Sequence, residues 1–232
     1  MGSVSDTKDF ARSKYGVLDQ VGHGTSMASI AAANWDGTGV AGVAPDASLA
    51  IAKVTDTTSI GFSQVKQAIA WGVTIGADVA NLSANTLYDS ATKKGFYQLA
   101  DGSWANKDTT FVNNYYKNVR STGFYLNEDP KTWAAAMSGS EIVLVNSAGN
   151  SSLRYPENPA PMAIATNLDG SLMLGGRMMI VGAWDIDNNR MAAYSNQDGH
   201  ICQYKNQVGG TCLDTYRISD FYICLLYTSP SP

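Results

Sequence analysis

Four runs of the chain read as strands with apolar centres: ASLAIAKV (47–54), DVANLSA (78–84), EIVLVNSAGN (141–150) and RMMIVGAWD (177–185). Continuous rather than alternating apolar character marks strands buried on both faces. Segments of helical character lie between them. GTSMASIAAA (24–33) is small and largely apolar, suited to a helix packed tightly inside the protein. FSQVKQAIAWGVTIGA (62–77) places Val65, Ala68, Ile69 and Gly72 at helical spacing, and KTWAAAMSGS (131–140) reads as a helix ending at its Gly and Ser. Strands alternating with helices predict an α/β fold with a parallel sheet covered on both faces. Sites in such sheets form at the carboxyl ends of the strands, where NLSAN (81–85) and NSAGN (146–150) stand.

Composition narrows the partners. The 232 residues are 44% hydrophobic and 16% charged, enough for one sizeable core. A formal net charge of −4 offers no basic footprint for nucleic acid or an anionic membrane surface. No apolar run reaches the length of a membrane span, and the opening MGSVSDTKDF lacks the apolar core of a signal peptide. The cysteines (Cys202, Cys212, Cys224) and histidines (His23, His200) show no zinc-ligand spacing. Cys202 and Cys212 close a short loop, either as a disulfide in an exported protein or as two free thiols. Residues 86–130 are polar and aromatic without sheet periodicity. Within them TTFVNNYYKNV (109–119) reads as a short helix, and the insertion is expected to elaborate the surface or to rim a site.

The candidate chemistry begins at GHGTSMASIAAANWDGTGVAGVAP (22–45). His23 stands at the start of a small-residue helix between Gly22 and Gly24, which permit unusual backbone angles. An imidazole held there is well placed to act as a general base. GTGVAG (37–42) fits the dinucleotide fingerprint G-x-G-x-x-G, but it follows a helix and leads into a strand, the reverse of what a phosphate cradle requires.

Taken with the strand that follows, GHGTSMASIAAANWDGTGVAGVAPDASLAIAKV resembles the histidine block of the subtilisin-like serine peptidases, peptidase family S8. That block has His-Gly-Thr, a small-residue helix, Gly-Val-Ala-Pro and a strand ending in Lys-Val. Three further blocks follow in family order. ADVANLSAN (77–85) resembles the substrate-binding edge, IVLVNSAGNSS (142–152) the oxyanion block, and MMIVGAWDIDNNRMAAYSNQDG (178–199) the next strand and turn. The resemblance covers residues 20–223 apart from the insertion, and is similar in character to secreted or autotransporter-type bacterial members.

The resemblance implies a three-layer fold, serine endopeptidase activity on peptide or protein substrates, and an extracellular or cell-surface location. It implies His23 as general base and Asn150 as oxyanion donor, with Ser83 and Ala84 aligning the substrate backbone. Ala148 and Gly149 would flank the specificity pocket. Asn150-Ser-Ser is also a glycosylation sequon, but a glycan there would block the cleft. Ala84 and Asn85 replace two glycines of the family pattern, which alters the geometry expected of that edge. No cofactor is implied. The family often binds calcium, but no acidic cluster in the sequence marks a site.

Two catalytic blocks of the resemblance are not matched. The orienting Asp belongs at the end of an apolar strand followed by Asp-Thr/Ser-Gly. Asp6, Asp9 and Asp19 lack that context and are expected in loops. Ser26 lies in GTSMA, a string that also surrounds the family nucleophile, but the Pro that follows there is missing, so Ser26 is expected to be a packing residue. The chain is therefore expected to be a partial peptidase domain over 1–223, incomplete at both ends and inactive alone. The closing CLLYTSPSP (224–232) resembles translated sequencing adapter and is expected to be a non-native tail. The alternative is a non-catalytic peptide-binding or interaction domain on the same fold.

Overall fold

A computed structural model describes residues 4–85, 88–89, 94–98, 104–108, 130–152, 156–157, 159–165, 167, 169–198, 207–208, 211–212 and 216–227. The helix expected at 109–119, His200 and the Cys202–Cys212 question lie outside these residues. The chain divides into two compact units. Unit 1 comprises Met1–Asp78 and Ala135–Ser140; unit 2 comprises Val79–Ala134 and Glu141–Pro232.

Unit 1 holds β1 (Val4–Asp9), α1 (His23–Ala32), β2 (Leu49–Lys53) and α2 (Phe62–Thr74). β1 pairs in parallel with β2. The helical spacing read over 62–77 is realised: Phe62, Val65, Ile69 and Gly72 are the buried face of α2. Phe10 meets Trp71 with ring centroids 6.0 Å apart. Two expectations fail here. Asp6 and Asp9 lie in strand β1 rather than in a loop, because backbone pairing with β2 overrides the weak strand preference of VSDTKD. α1 is also not enclosed: Ala32 is its only buried residue and Ile30 is 55% exposed.

Unit 2 is built on the parallel order β12-β8-β7-β3, with β3 (Val79–Leu82), β7 (Val143–Ser147), β8 (Met178–Asp185) and β12 (Tyr222–Tyr227). The short β9 (Arg190–Met191) adds antiparallel to β8. All three runs read as strands in this part of the sequence are strands. Cys224–Tyr227, at the start of the expected tail, continue β12 in register with Gly182–Asp185 of β8. The 86–130 insertion contains a three-stranded antiparallel sheet of β4 (Tyr88–Asp89), β5 (Lys94–Gln98) and β6 (Trp104–Asp108). Sequence periodicity missed it because short strands joined by turns carry little periodic signal. β10 (Gln207–Val208) and β11 (Thr211–Cys212) form a minimal hairpin. α3 (Pro130–Ala136) occupies the first half of the expected 131–140 helix.

The core of unit 2 lies on one face of this sheet. Leu144, Asn146, Met178 and Ile180 are buried, together with Ala160, Met162, Ala163 and Ile164 of a 3-10 helix over Ala160–Ile164. The opposite face is less covered. Register places Val79 beside Val143, Val145 beside Met179, Val181 beside Ile223 and Ala183 beside Leu225. Of these, Val79 is 59% and Leu225 55% exposed. Burial on both faces, expected from the continuous apolar runs, is thus met on one.

Candidate active site

In unit 1 the turn before α1 is organised by the carboxylate of Asp19, which does more than the loop position expected of it implies. Asp19 Oδ1 accepts from the backbone N–H of Val21 (2.9 Å) and Gly22 (2.8 Å). Its Oδ2 accepts from the N–H (2.9 Å) and the hydroxyl (2.8 Å) of Thr25. Gly22, the N-cap residue, adopts φ 85°, in the left-handed region, and offers no side-chain cap. Asp19 supplies the acceptor from outside the helix and meets the N–H groups that helix geometry leaves unpaired. The backbone and hydroxyl bonds from Thr25 and Gly22 hold its carboxyl well below the usual carboxylate range.

His23 is the first residue of α1 and is exposed. Gly24 does not use the freedom expected of it: its φ is not positive, and a Cβ there would sit 3.6 Å from Asp19 Oδ2, an ordinary contact. Ser26 is exposed rather than packed, and its hydroxyl donates to the Gly22 carbonyl at 3.0 Å. The segment leading to Asp19 is tied from below. Lys53 at the end of β2, only 8% exposed, donates to the Leu18 carbonyl (2.5 Å) and the Ser13 hydroxyl (3.2 Å) and pairs with Asp56 (2.5 Å).

Unit 2 brings together Ser83, Ala84, Ala148, Gly149 and Asn150, the other five candidates. The carboxyl ends of β3 and β7 are stitched by side-chain amides. Asn146 Nδ2 donates to the Leu82 (2.7 Å) and Ala84 (3.1 Å) carbonyls, and Asn85 Nδ2 to the Ser147 carbonyl (2.7 Å). Ser147 Oγ donates back to Asn85 Oδ1 at 2.5 Å. Ser83 Oγ accepts from Asn81 Nδ2 at 2.9 Å. Asn85, the departure from the two-glycine pattern, is therefore a cross-link between the edge and β7.

Beyond β7 every residue next to Asn150 is held through its backbone. The Ala148 carbonyl accepts from Glu157 N (2.8 Å) and Asn196 Nδ2 (3.0 Å), and the Gly149 carbonyl from Asn196 N (2.9 Å). Ser151 N donates to Asn196 Oδ1 (3.0 Å) and Ser152 N to the Tyr194 carbonyl (2.9 Å). Gly149 has φ 103° and Ser152 φ 55°. Ala148 and Gly149 are buried; Asn150 itself is exposed. The loop is thus hydrogen-bonded on both sides of one exposed residue.

Sequence reading missed Asp19, Glu157 and Asn196. The first stands three residues before the N-cap Gly22, outside the position where a helix-start acceptor is read from sequence. Asn196 lay within the 178–199 block but nothing there pointed to its contacts 45 to 48 positions away, and Glu157 gave no signal because its contacts depend on how the loop folds back on itself. Among the described residues no three His, Cys, Asp or Glu side chains cluster as a metal-ligand set. No helix among them is long and apolar enough to cross a membrane.

An open, mostly parallel α/β sheet with His23 leading a small-residue helix and Ala-Gly-Asn at a strand end defines a subtilisin-like class of protein. A model of the subtilase family, Peptidase S8, matches residues 2–209, and the chain belongs to that family. It is 33% identical over 133 residues to a thermophilic serine proteinase of Bacillus sp. (strain AK1), covering 53% of this chain and 33% of that protein. It is 30% identical over 138 residues to subtilisin E of Bacillus subtilis (strain 168), covering 53% and 36%. The chain thus spans about a third of the length of these relatives. Among solved structures, a mutant of the PatA protease domain matches with TM-score 0.51 and 21% identity, over 85% of this chain and 60% of that one. The epidermin leader peptide processing serine protease of Staphylococcus aureus matches with TM-score 0.52 and 15% identity, over 84% and 44%. These two likenesses are of fold.

Proposed function

We propose that this chain carries the general-base and oxyanion parts of a secreted or cell-surface serine endopeptidase. The observation that carries the reading is the Ala148–Ser152 loop, pinned on both sides of an exposed Asn150. A donor fixed before the reaction costs no reorganisation when charge develops on the scissile carbonyl oxygen. In this reading His23, on the turn ordered by Asp19, takes the proton from the nucleophile and returns it to the leaving amine. The edge at Ser83 and Ala84 aligns an extended peptide, with Ala148 and Gly149 beside the side-chain pocket.

We further propose that the orienting Asp and the nucleophilic Ser come from polypeptide outside this segment. The exposed apolar face of the unit 2 sheet and the exposed Ile30 of α1 support this, since such surface is ordinarily covered. Among the described residues β2 pairs only with β1, and β3 only with β7, so each leaves an open edge to which a further strand can add. Ser26 is bonded to the Gly22 carbonyl, which argues against its being the nucleophile.

The test is to recover the flanking reading frame and express the full protein. The expected frame encodes, upstream, an apolar strand ending in Asp-Thr/Ser-Gly. The expected protein reacts with a fluorophosphonate probe, whereas the 232-residue chain does not. Probe labelling of the short chain that disappears in Ser26→Ala contradicts the reading. A full protein that binds peptide but never reacts with the probe favours a non-catalytic peptide-binding domain.

A further inference from the structure

Glu157 is a carboxyl buried to 8% exposure, and no catalytic role in the reading above uses it. Its surroundings are polar but closed. Glu157 Oε1 accepts from Ser151 Oγ at 2.6 Å, and the Asn196 amide hydrogen-bonds the same carboxyl. Its own N–H holds the Ala148 carbonyl at 2.8 Å, and its carbonyl accepts from Asn85 Nδ2 at 3.4 Å. A Cβ on Gly149 would lie 2.5 Å from both Glu157 Oε2 and Asn196 Nδ2. One residue thus touches both flanks of Asn150 and the Asn85 cross-link as well.

We propose that Glu157 is a positioning residue: with Ser151 and Asn196 it fixes the loop that aims the Asn150 amide at the reacting carbonyl. The proposal rests on the reading of Asn150 as oxyanion donor. Burial pushes the carboxyl above its ordinary range, against the opposing pull of its hydrogen bonds with Ser151 and Asn196. Burying such a group is unfavourable unless its hydrogen bonds are made, and here they lead to the two sides of one exposed residue. Glycine at 149 is required twice, by its φ of 103° and by the space the two polar atoms occupy.

The contacts also say which replacement is tolerated. In Glu157→Gln the amide donates to Ser151 Oγ, whose hydroxyl can switch from donor to acceptor, while the amide oxygen still accepts from Asn196. Glu157→Ala leaves the Ser151 hydroxyl and one Asn196 N–H without partners and lets the loop shift. A misplacement of about 1 Å can cost about 10²-fold in rate.

The experiment measures kcat and KM separately in the full-length protein for Glu157→Ala, Glu157→Gln, Ser151→Ala and Asn150→Leu, and for Glu157→Ala combined with Asn150→Leu. The expected result for Glu157→Ala is a loss of roughly 10- to 100-fold in kcat with KM little changed. Ser151→Ala should lose less, in the same direction, and Glu157→Gln should recover most of kcat. In the Asn150→Leu background Glu157→Ala should cost little more, because the group it aims is gone. An equal loss in both backgrounds, or a loss expressed in KM, overturns the positioning role. Asn150→Leu with full activity instead removes the oxyanion reading itself, so the two failures are distinct. If Glu157→Ala does not fold, Ser151→Ala decides: unchanged kcat there overturns the proposal.

Discussion

The turn before α1 and the loop after β7 solve one problem in opposite ways. Each holds a functional candidate with one carboxylate, Asp19 near His23 and Glu157 around Asn150. Asp19 is exposed, accepts four hydrogen bonds, and has its pKa lowered by them. Glu157 is buried and has its pKa raised by desolvation. A Cβ on Gly22 meets nothing within 4 Å, while one on Gly149 meets the Glu157 carboxyl and the Asn196 amide. The contrast teaches that the imidazole sits on a turn closed by a nearby carboxylate and anchored to β2 through Lys53, whereas the loop of the oxyanion candidate is closed by a buried carboxyl and by Asn196 from a distant segment.

The sharpest way to break that contrast is to make one substitution in both places. Gly149→Ala meets a strained φ, costing about 1–3 kcal/mol, and overpacking, costing about 1–3 kcal/mol more. The expected outcome is loss of most activity and a large fall in the denaturation midpoint of the full-length protein. Gly22→Ala meets strain alone and should cost roughly 1–2 kcal/mol. Equal costs at the two sites would remove the distinction.

Asp19→Ala should cost about 1 kcal/mol of stability, the usual worth of a helix-start acceptor. Hydrogen exchange should speed up at the Gly22 and Thr25 amides while the Ala148–Ser152 loop is unchanged. Altered exchange in that loop would show that the two sites are coupled.

The smallest effects are in pH, and their signs are opposite. The folded pKa of Asp19 lies below its ordinary 3.8, so its contribution is present above that value and is lost as pH falls through the folded pKa. Glu157 is raised above its ordinary 4.5, so its contribution is present below 4.5 and is lost as pH rises through the folded pKa. Stability against pH should therefore flatten on the acid side in Asp19→Asn. In Glu157→Gln it should flatten above pH 4.5 instead. The same direction of change in both variants would contradict the assignments.

How much of this was legible in the sequence follows the same divide. β2, α2, β3, β7 and β8 were readable because apolar runs and helical spacing are local signals. His23 was readable from its block, while the capping role of Asp19 was not, because it stands three residues before the N-cap Gly22. β1 was hidden because an exposed strand held by backbone pairing needs no apolar pattern. The β4–β6 sheet was hidden by short strands. Around Asn150, Ala148 and Gly149 could be read in the motif, but not Glu157 or Asn196. Their contacts join residues 45 to 48 positions apart in the sequence, or depend on a carboxyl folding back on its own loop. The exposed α1 and the one-sided sheet went unforeseen because periodicity reports which residues want burial, not what covers them.

The central claim, that the pinned loop presents an oxyanion donor, is tested most directly by Asn150→Leu in the full-length protein. The account predicts a fall in kcat of roughly 10²–10³ with KM little changed, a loss known from an asparagine donor of this same family. The amide meets the carbonyl oxygen fully only when that oxygen carries charge, so substrate binding barely registers its removal. Unchanged kcat, or a loss confined to KM, would contradict the account.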